Sequence, residues 1–347
     1  MFIANKKIDG KCGAFIIAEI AQAHDGSLGL AHSFIDAAAD SGADAVKFQT
    51  HIADAESTLN EKFRVPLSGQ DHSRYEYWKR MEFSIDHWYS LSNHARERGL
   101  IFLSSPFSVE AAKVLNQLSI DAWKIGSGEV FNPLLMDYLI QQNQPLLVST
   151  GMSSWVDIMN LNNHLHSLNR EFAFFHCNSM YPTPLPNVGL NIIPELKSRC
   201  KVPIGLSDHS GSVYPSLHSL AHEIDLLEIH VTFDRRMYGP DTSSSLTFDE
   251  LKLLCDANNS FTTLRLHPID KDKQSSSLSE VKALFSKSLS FKETQPKGSI
   301  ISESMLTLKK PAGGIPHESL QQLVGRRLIR DVPSQRLISW DDIDLLN

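Results

Sequence analysis

The sequence predicts a (β/α)8 TIM barrel followed by a small β-rich module. Three observations carry this expectation. Eight short apolar runs recur along the first 231 of the 347 residues. Segments with apolar residues at helical spacing separate the runs. Nearly every run ends on a polar or ionisable residue, and in such a barrel the chemistry sits at the C-terminal ends of the strands.

The runs are FIIAEI (15–20), AVKFQT (45–50), LIFLSS (100–105), DAWKIGS (121–127), PLLVST (145–150), FAFFHC (172–177), VPIGLS (202–207) and LLEIHV (226–231). Helical patterns lie at 28–43, 84–98, 108–119, 132–142, 154–169, 190–200, 212–224 and 247–258. The first has a glycine near its end, as a helix stop requires. The stretch 51–83 is charged and aromatic, and a connection that long is expected to form part of a substrate pocket's wall. Residues 1–270 form the expected barrel, and 271–286, opening on the Ser-rich KDKQSSSLSE, reads as a linker. Residues 287–347 hold short apolar runs broken by Gly and Pro, the expected β-rich module. At about sixty residues such a module is marginal alone and is expected to dock on the barrel or on a second subunit.

Composition narrows the function. With 41% hydrophobic and 21% charged residues the chain reads as a soluble globular protein. A net charge of −7 argues against nucleic acid or an anionic membrane as the main partner. No apolar run approaches the ~18 residues of a membrane span. No N-terminal stretch reads as a signal peptide, so the expected compartment is the cytoplasm. The four cysteines show no CxxC spacing and read as free thiols of a reducing compartment. Cys177, at the end of the sixth run, reads as a buried structural thiol, with a catalytic role as the alternative.

The strand ends carry Glu19, Lys47, Gln49, Ser105, Lys124, Ser127, Glu129, Ser149, His209 and His230. His209 and His230 end neighbouring strands about 5 Å apart, so both imidazoles can reach one divalent metal, with Asp208 as a residue that could orient a ligand. The bland reading is two satisfied structural histidines. Lys47 and Lys124 lie inside mostly apolar strands, where a lysine needs a partner. Two lysines among Ser105, Ser127 and Ser149 suit a phosphate or carboxylate. One of them alone suits a Schiff base. The GSGE loop (126–129) adds backbone amides that can approach an anion. Glu19 and Glu129 read as general acid–base groups or sugar ligands, or as salt-bridge partners of the lysines.

These motifs resemble those of the sialic acid (nonulosonate) synthases, which condense phosphoenolpyruvate with an N-acylmannosamine-type sugar. The matching segments are IAEIAQAHDGS, AVKFQT, SSPFS, WKIGSGE, STGM, HCNSMYPTP, GLSDHSG and IHVTFDRRMYGPD. The C-terminal module resembles the antifreeze-like (SAF) domain that completes these enzymes. The resemblance implies that Lys47, Ser105, Lys124, Ser127, Ser149 and Ser179 hold phosphoenolpyruvate. It implies manganese on His209 and His230, with magnesium or cobalt as alternatives. It assigns the sugar to Glu19, Gln49, Glu129, Tyr181 and Asp241. It also implies a domain-swapped homodimer in which Lys310, from the partner's SAF module, reaches the sugar. Glu19, Glu129, Lys47 and Lys124 are then the catalytic candidates.

Four departures fall on the sugar side or beside it. The family's EKH reads Glu228-Ile229-His230, its GPDH reads GPDT with Thr242, its KRPG reads KKPA, and its HCTN reads HCNS. Lys310 cannot make an arginine's bidentate fork. The expected acceptor is therefore an N-acylmannosamine-type sugar, with both plain N-acetylmannosamine and a modified N-acylhexosamine left open. The alternatives are a KDO- or DAHP-type synthase on the same barrel, which would not end in a SAF module, and a non-catalytic sugar-binding relative. Such a relative has no need for Lys47, Lys124, Glu129, His209 and His230 together.

Overall fold

The computed structural model describes residues 1–64 and 69–344. Residues 65–68 of the long 51–83 stretch and the last three of the C-terminal module lie outside the described residues. The chain divides into two compact units, Met1–Leu266 and His267–Asn347.

The first unit is a closed parallel barrel. Its strands are β1 (Phe15–Ala21), β2 (Ala45–Thr50), β3 (Ile101–Pro106), β4 (Trp123–Ile125), β5 (Leu146–Ser149), β6 (Phe172–Cys177), β7 (Ile204–Asp208) and β8 (Leu226–Thr232). Each pairs in parallel with the next, and β8 pairs back onto β1. The helices that follow them are α1 (Leu28–Asp40), α2 (Ile85–Glu97), α3 (Val109–Gln117), α4 (Pro133–Ile140), α5 (Trp155–Ser167), α6 (Ile192–Cys200), α7 (Val213–Ala221) and α8 (Phe248–Leu266). Six of them start on a side-chain cap, from Ser27, Ser84, Ser108, Asn132, Ser154 and Ser212. Each cap satisfies an amide that the first helical turn leaves unbonded.

Side chains alternate across each strand. Ile16, Ala18 and Ile20 of β1 join the layer between barrel and helices, while Phe15 and Ile17 join the barrel interior. The same parity sends Ala45 and Lys47 inward on β2, and Leu226, Glu228 and His230 inward on β8. The lower interior is apolar: Phe15, Ile17, Ala45, Leu103, Leu147, Phe175 and Leu226 fill it. Gly205 makes room there, because a Cβ would stand 2.5 Å from the Phe175 ring. An N-terminal hairpin, Phe2–Ile3 with Lys6–Lys7, adds Ile3 to this cluster, and Ile8 follows it. The upper interior, toward the C-terminal strand ends, is polar.

Three boundaries differ from the sequence expectation. The fourth strand shortens to Trp123–Ile125, because GSGE turns into a 3-10 helix at Glu129–Phe131. The eighth helix runs on to Leu266. The 271–286 segment, expected as a linker, holds two short helices, Lys271–Ser277 and Ser279–Phe285. Asp270 caps the first of these through the amides of Asp272 and Lys273, which offsets the weak helix propensity of its serines.

The second unit has its own small core, including Leu289, Phe291, Ile315, Leu328, Val332 and Ile338. Ser288–Phe291 pairs antiparallel with Leu306–Lys309, and isolated bridges such as Gln295 with Val332 extend the β character. Among the described residues no helix is long and apolar enough to cross a membrane.

Candidate active site

A cavity of about 390 Å³ opens at the C-terminal face of the barrel. Its lining includes Glu19, Lys47, Gln49, Ser105, Lys124, Ser127, Glu129, Ser149, Ser179, Tyr181, His209, His230 and Asp241. Lys310 alone of the expected site residues belongs to the second unit, where its ammonium lies over the Phe285 ring at 4.6 Å.

The floor of the cavity is an ion network fixed by strand register. Glu19 lies beside Lys47 on one side and His230 on the other. The Lys47 ammonium is 2.6 Å from a Glu19 oxygen and donates to Ser105 at 3.1 Å. Lys124 donates to Ser149 at 2.6 Å and rests over the Phe175 ring at 4.8 Å. Glu228 joins the two lysines, at 3.2 Å from Lys124 and 3.7 Å from Lys47, and accepts from Ser207 at 3.1 Å. All four ionisable groups are at most 4% exposed. Glu19 and Glu228 are pushed apart. Burial, only partly offset by Lys47, raises Glu19 above the usual carboxylate range. For Glu228 the burial penalty is outweighed by Lys124 and Lys47, which hold it ionised. Burial lowers Lys124 despite Glu228, so this ammonium gains most from a further anion.

Next to Lys124 lies a cradle of small groups. The Gly151 amide donates to Ser127 Oγ at 3.1 Å, and Ser127 meets the Cys177 thiol at 3.3 Å. A Cβ on Gly151 would come within 2.7 Å of Cys177 Sγ and Ser179 Oγ. Cys177 therefore faces the cavity, and burial raises its thiol pKa, so it stays protonated and is a poor nucleophile. Gly151→Ala is expected to weaken anion binding in this cradle, read with inorganic phosphate as the probe, by about tenfold or more, since each tenfold is ~1.4 kcal/mol. Unchanged phosphate affinity in calorimetry would remove the anion from this cradle.

Tyr181, His209 and His230 form the roof on the opposite side. The His209 ring stacks on Tyr181 at 4.2 Å and meets the His230 ring at 5.3 Å. His209 Nδ1–H donates to the Asn178 carbonyl at 2.9 Å, which leaves its Nε2 lone pair free. Burial brings both imidazoles down to about 3, so both are neutral donors at neutral pH. No group of three or more His, Cys, Asp or Glu side chains among the described residues is arranged to hold a metal ion. The donor chemistry does fit a divalent cation held by two imidazoles, with its remaining positions left to water or substrate oxygens. Asp208 takes no part. Strand parity turns it outward, where it accepts from Ser216 Oγ of α7 at 2.7 Å and from the Ser210 amide at 2.9 Å. Gly211 closes that loop at φ +67, with Ser243 O only 2.5 Å from where a Cβ would stand.

The 51–83 stretch supplies a wall of the cavity through Glu61, Arg64, Arg74 and Trp78. It includes two short helices, Ala53–Glu56 and Arg74–Met81. His51 anchors it, sandwiched between Trp78 at 3.7 Å and Phe107 at 4.2 Å. His51 Nδ1 meets the Glu56 carboxyl, and Nε2 donates to Gln49 Oε1 at 3.2 Å. Gln49 in turn donates to Glu19 at 3.1 Å, so the wall is tied to the ion network. Sequence reasoning assigned no role to Glu228, Arg64, Arg74 or His51. For Glu228 the alternation along β8 was a usable signal. For the others no local pattern exists.

Burial raises Glu56 to about 8. Its carboxyl therefore keeps a proton in the fold that the unfolded chain releases above about 4.5. Stability is lost as pH rises through that window. Glu56→Gln, which donates to His51 without a proton to lose, is expected to be more stable than wild type at pH 9 by about 2–4 kcal/mol. The advantage should shrink toward pH 5 in chemical denaturation, and an equal difference at both pH values would rule the assignment out.

The NeuB family profile matches residues 34–265, and the SAF domain profile matches residues 289–344. The chain is 34% identical to the N,N'-diacetyllegionaminic acid synthase of Campylobacter jejuni, over 93% of this chain and 98% of that protein. It is 30% identical to the human N-acetylneuraminate-9-phosphate synthase, over 97% and 94%. Among solved structures it resembles the N-acetylneuraminic acid (sialic acid) synthetase of Leptospira borgpetersenii, determined with citrate. That likeness has a TM-score of 0.71 at 28% identity, over 81% of this chain and 95% of that one.

Proposed function

This chain belongs to the NeuB family, a family of phosphoenolpyruvate-condensing synthases, and we propose that it joins phosphoenolpyruvate to an N-acylated amino sugar to make a nonulosonic acid and phosphate. The observation that carries this reading is the buried Lys47–Glu228–Lys124 network beside the Ser127–Gly151 cradle. Two ammonium groups and several hydroxyls, one of them held by the Gly151 amide, suit a ligand that carries both a phosphate and a carboxylate.

In the proposed reaction, Lys124, Ser127, Ser149 and Ser179 hold the phosphate, and Lys47 with Ser105 holds the carboxylate. The sugar lies above, against Gln49, Glu129, Tyr181 and Asp241, with its open-chain aldehyde toward the histidines. The π electrons of phosphoenolpyruvate form the new bond from C3 to the aldehyde carbon. The aldehyde oxygen takes a proton, for which Glu19 and Glu129, both raised by burial, are the donors on hand. Water adds to the electron-poor C2 and gives one proton to a carboxylate, in our reading the ionised Glu228. The tetrahedral centre then expels phosphate with its bridging oxygen as the C2 hydroxyl becomes the keto group, and the hydroxyl proton leaves with the phosphate. A divalent cation on His209 and His230, manganese in our reading, would supply a Lewis acid for the aldehyde. We further propose a homodimer in which the SAF unit of one chain brings Lys310 to the sugar of the other. The SAF domain also separates this reading from a KDO- or DAHP-type synthase.

The test is inorganic phosphate release from phosphoenolpyruvate with manganese across a panel of N-acylated hexosamines. The panel includes N-acetylmannosamine and 2,4-diacetamido-trideoxyhexoses. Release that requires both one sugar and the metal supports the reading. No release with any sugar, together with no phosphoenolpyruvate binding, would sink it.

A further inference from the structure

The acceptor half of the cavity has hydrogen-bonding groups that the protein itself leaves unmatched. Arg74 is the first residue of the helix Arg74–Met81 and lines the cavity. Its guanidinium carbon lies over the Trp78 ring at 4.0 Å, and its Nε stands 3.5 Å from Glu61. Its Nη1 is buried and has no hydrogen-bond partner among the described residues. A buried donor left unpaired is costly, so it marks a place where a ligand oxygen belongs. Gln22 gives a second, independent signal. It is 3% exposed and lines the same cavity. Its Nε2 donates to Gln49 Oε1 at 3.4 Å, while its Oε1 has no partner among the described residues.

The charges around these atoms fix the kind of ligand. Arg64, the other guanidinium of this wall, is already matched to Asp241 at 2.7 Å. Glu61, Glu129 and Asp241 add further acceptor oxygens to the lining. Among the described residues the wall is thus rich in acceptors, with one buried donor, Arg74 Nη1, left unmatched. Its complement is a ligand with several O–H and N–H groups and one carbonyl or hydroxyl oxygen. A phosphate dianion has only acceptors and would face these carboxylates. It would lack the hydroxyl and amide cradle present beside Lys124.

We propose that Arg74 and Gln22 are specificity-determining contacts for the acceptor, and that this acceptor is an uncharged N-acylated sugar without a phosphate. Arg74 donates to an oxygen of the acyl group or ring, and Gln22 accepts from a hydroxyl or amide. The inference rests on the synthase reading given above.

The experiment is steady-state phosphate release with the full chain and manganese. The acceptors are N-acetylmannosamine, its 6-phosphate and a 2,4-diacetamido-trideoxyhexose. Wild type is expected to use an unphosphorylated sugar with kcat/KM at least about tenfold above that of the phosphorylated one. Arg74→Met and Gln22→Leu keep side-chain volume and are expected to raise the acceptor KM by about 10–100-fold. That is the size of one lost hydrogen bond to a charged or buried group. The phosphoenolpyruvate KM should stay within about twofold, and Arg74→Lys should recover part of the loss. Preference for the phosphorylated sugar overturns the charge assignment. Unchanged acceptor KM in both variants, or equal increases for both substrates, overturns the contact assignment. Should wild type use no sugar while calorimetry still shows phosphoenolpyruvate binding, the acceptor class proposed here is wrong. Loss of that binding too would remove the synthase reading beneath it.

Discussion

Replacing Glu228 with Gln is expected to lower kcat by about 10²–10⁴-fold, the range for a lost acid–base group. The phosphoenolpyruvate KM should not rise. Glu228 is 4% exposed and stands between two ammonium groups at 3.2 and 3.7 Å. Glutamine keeps the shape and the hydrogen bond to Ser207 but removes the negative charge. The site then holds more positive charge for an anion to meet, and no ionised carboxylate at its centre. Weakened phosphoenolpyruvate binding would mean that Glu228 acts by arranging the lysines. Retention of more than about a tenth of wild-type kcat would remove it from the proton transfers. Stability should also fall, because breaking a buried ion pair leaves a charge uncompensated at a cost of about 3–5 kcal/mol. The kinetic comparison therefore belongs at a temperature where circular dichroism shows the variant folded.

The second large effect concerns the histidines. His209→Ala is expected to weaken manganese binding by at least about 100-fold and to remove metal-dependent turnover. The His209 ring donates through Nδ1 to Asn178 and stacks on Tyr181, which fixes its tautomer and its direction. Alanine removes one of two neutral imidazoles and leaves His230 alone. The direct measurement is free manganese by electron paramagnetic resonance during titration of the apoprotein. An unchanged affinity would place the metal elsewhere, whatever happens to the rate.

Much of this site was legible because a barrel strand is simple. A lysine in an apolar strand, such as Lys47 or Lys124, must face the mouth or pair with something, and here each does both. Parity of side chains was the part underused. It places Glu228 on the face of His230, where the comparison of EKH with Glu228-Ile229-His230 drew attention only to the missing lysine. It also turns Asp208 away from His209, which excludes the orienting role first given to it. The 51–83 wall had no such rule. His51 owes its place to packing between Trp78 and Phe107, residues far from it in the chain, and Arg74, although it lies on Trp78 one helical turn away, faces the cavity only because that contact carries its helix there. Nor does composition reveal that Asp270 caps a helix where serines suggested a linker.

One consequence concerns inheritance. The groups proposed to hold phosphoenolpyruvate lie on or just after barrel strands, locked by register and by each other's charges, so almost any change there is punished. Arg64, Arg74 and Glu61 lie on a connection whose length and composition the barrel does not dictate. A lineage carrying this fold has freedom to rewrite the connection between its second and third strands, and with it the sugar side, without disturbing the strand-end groups of the donor half.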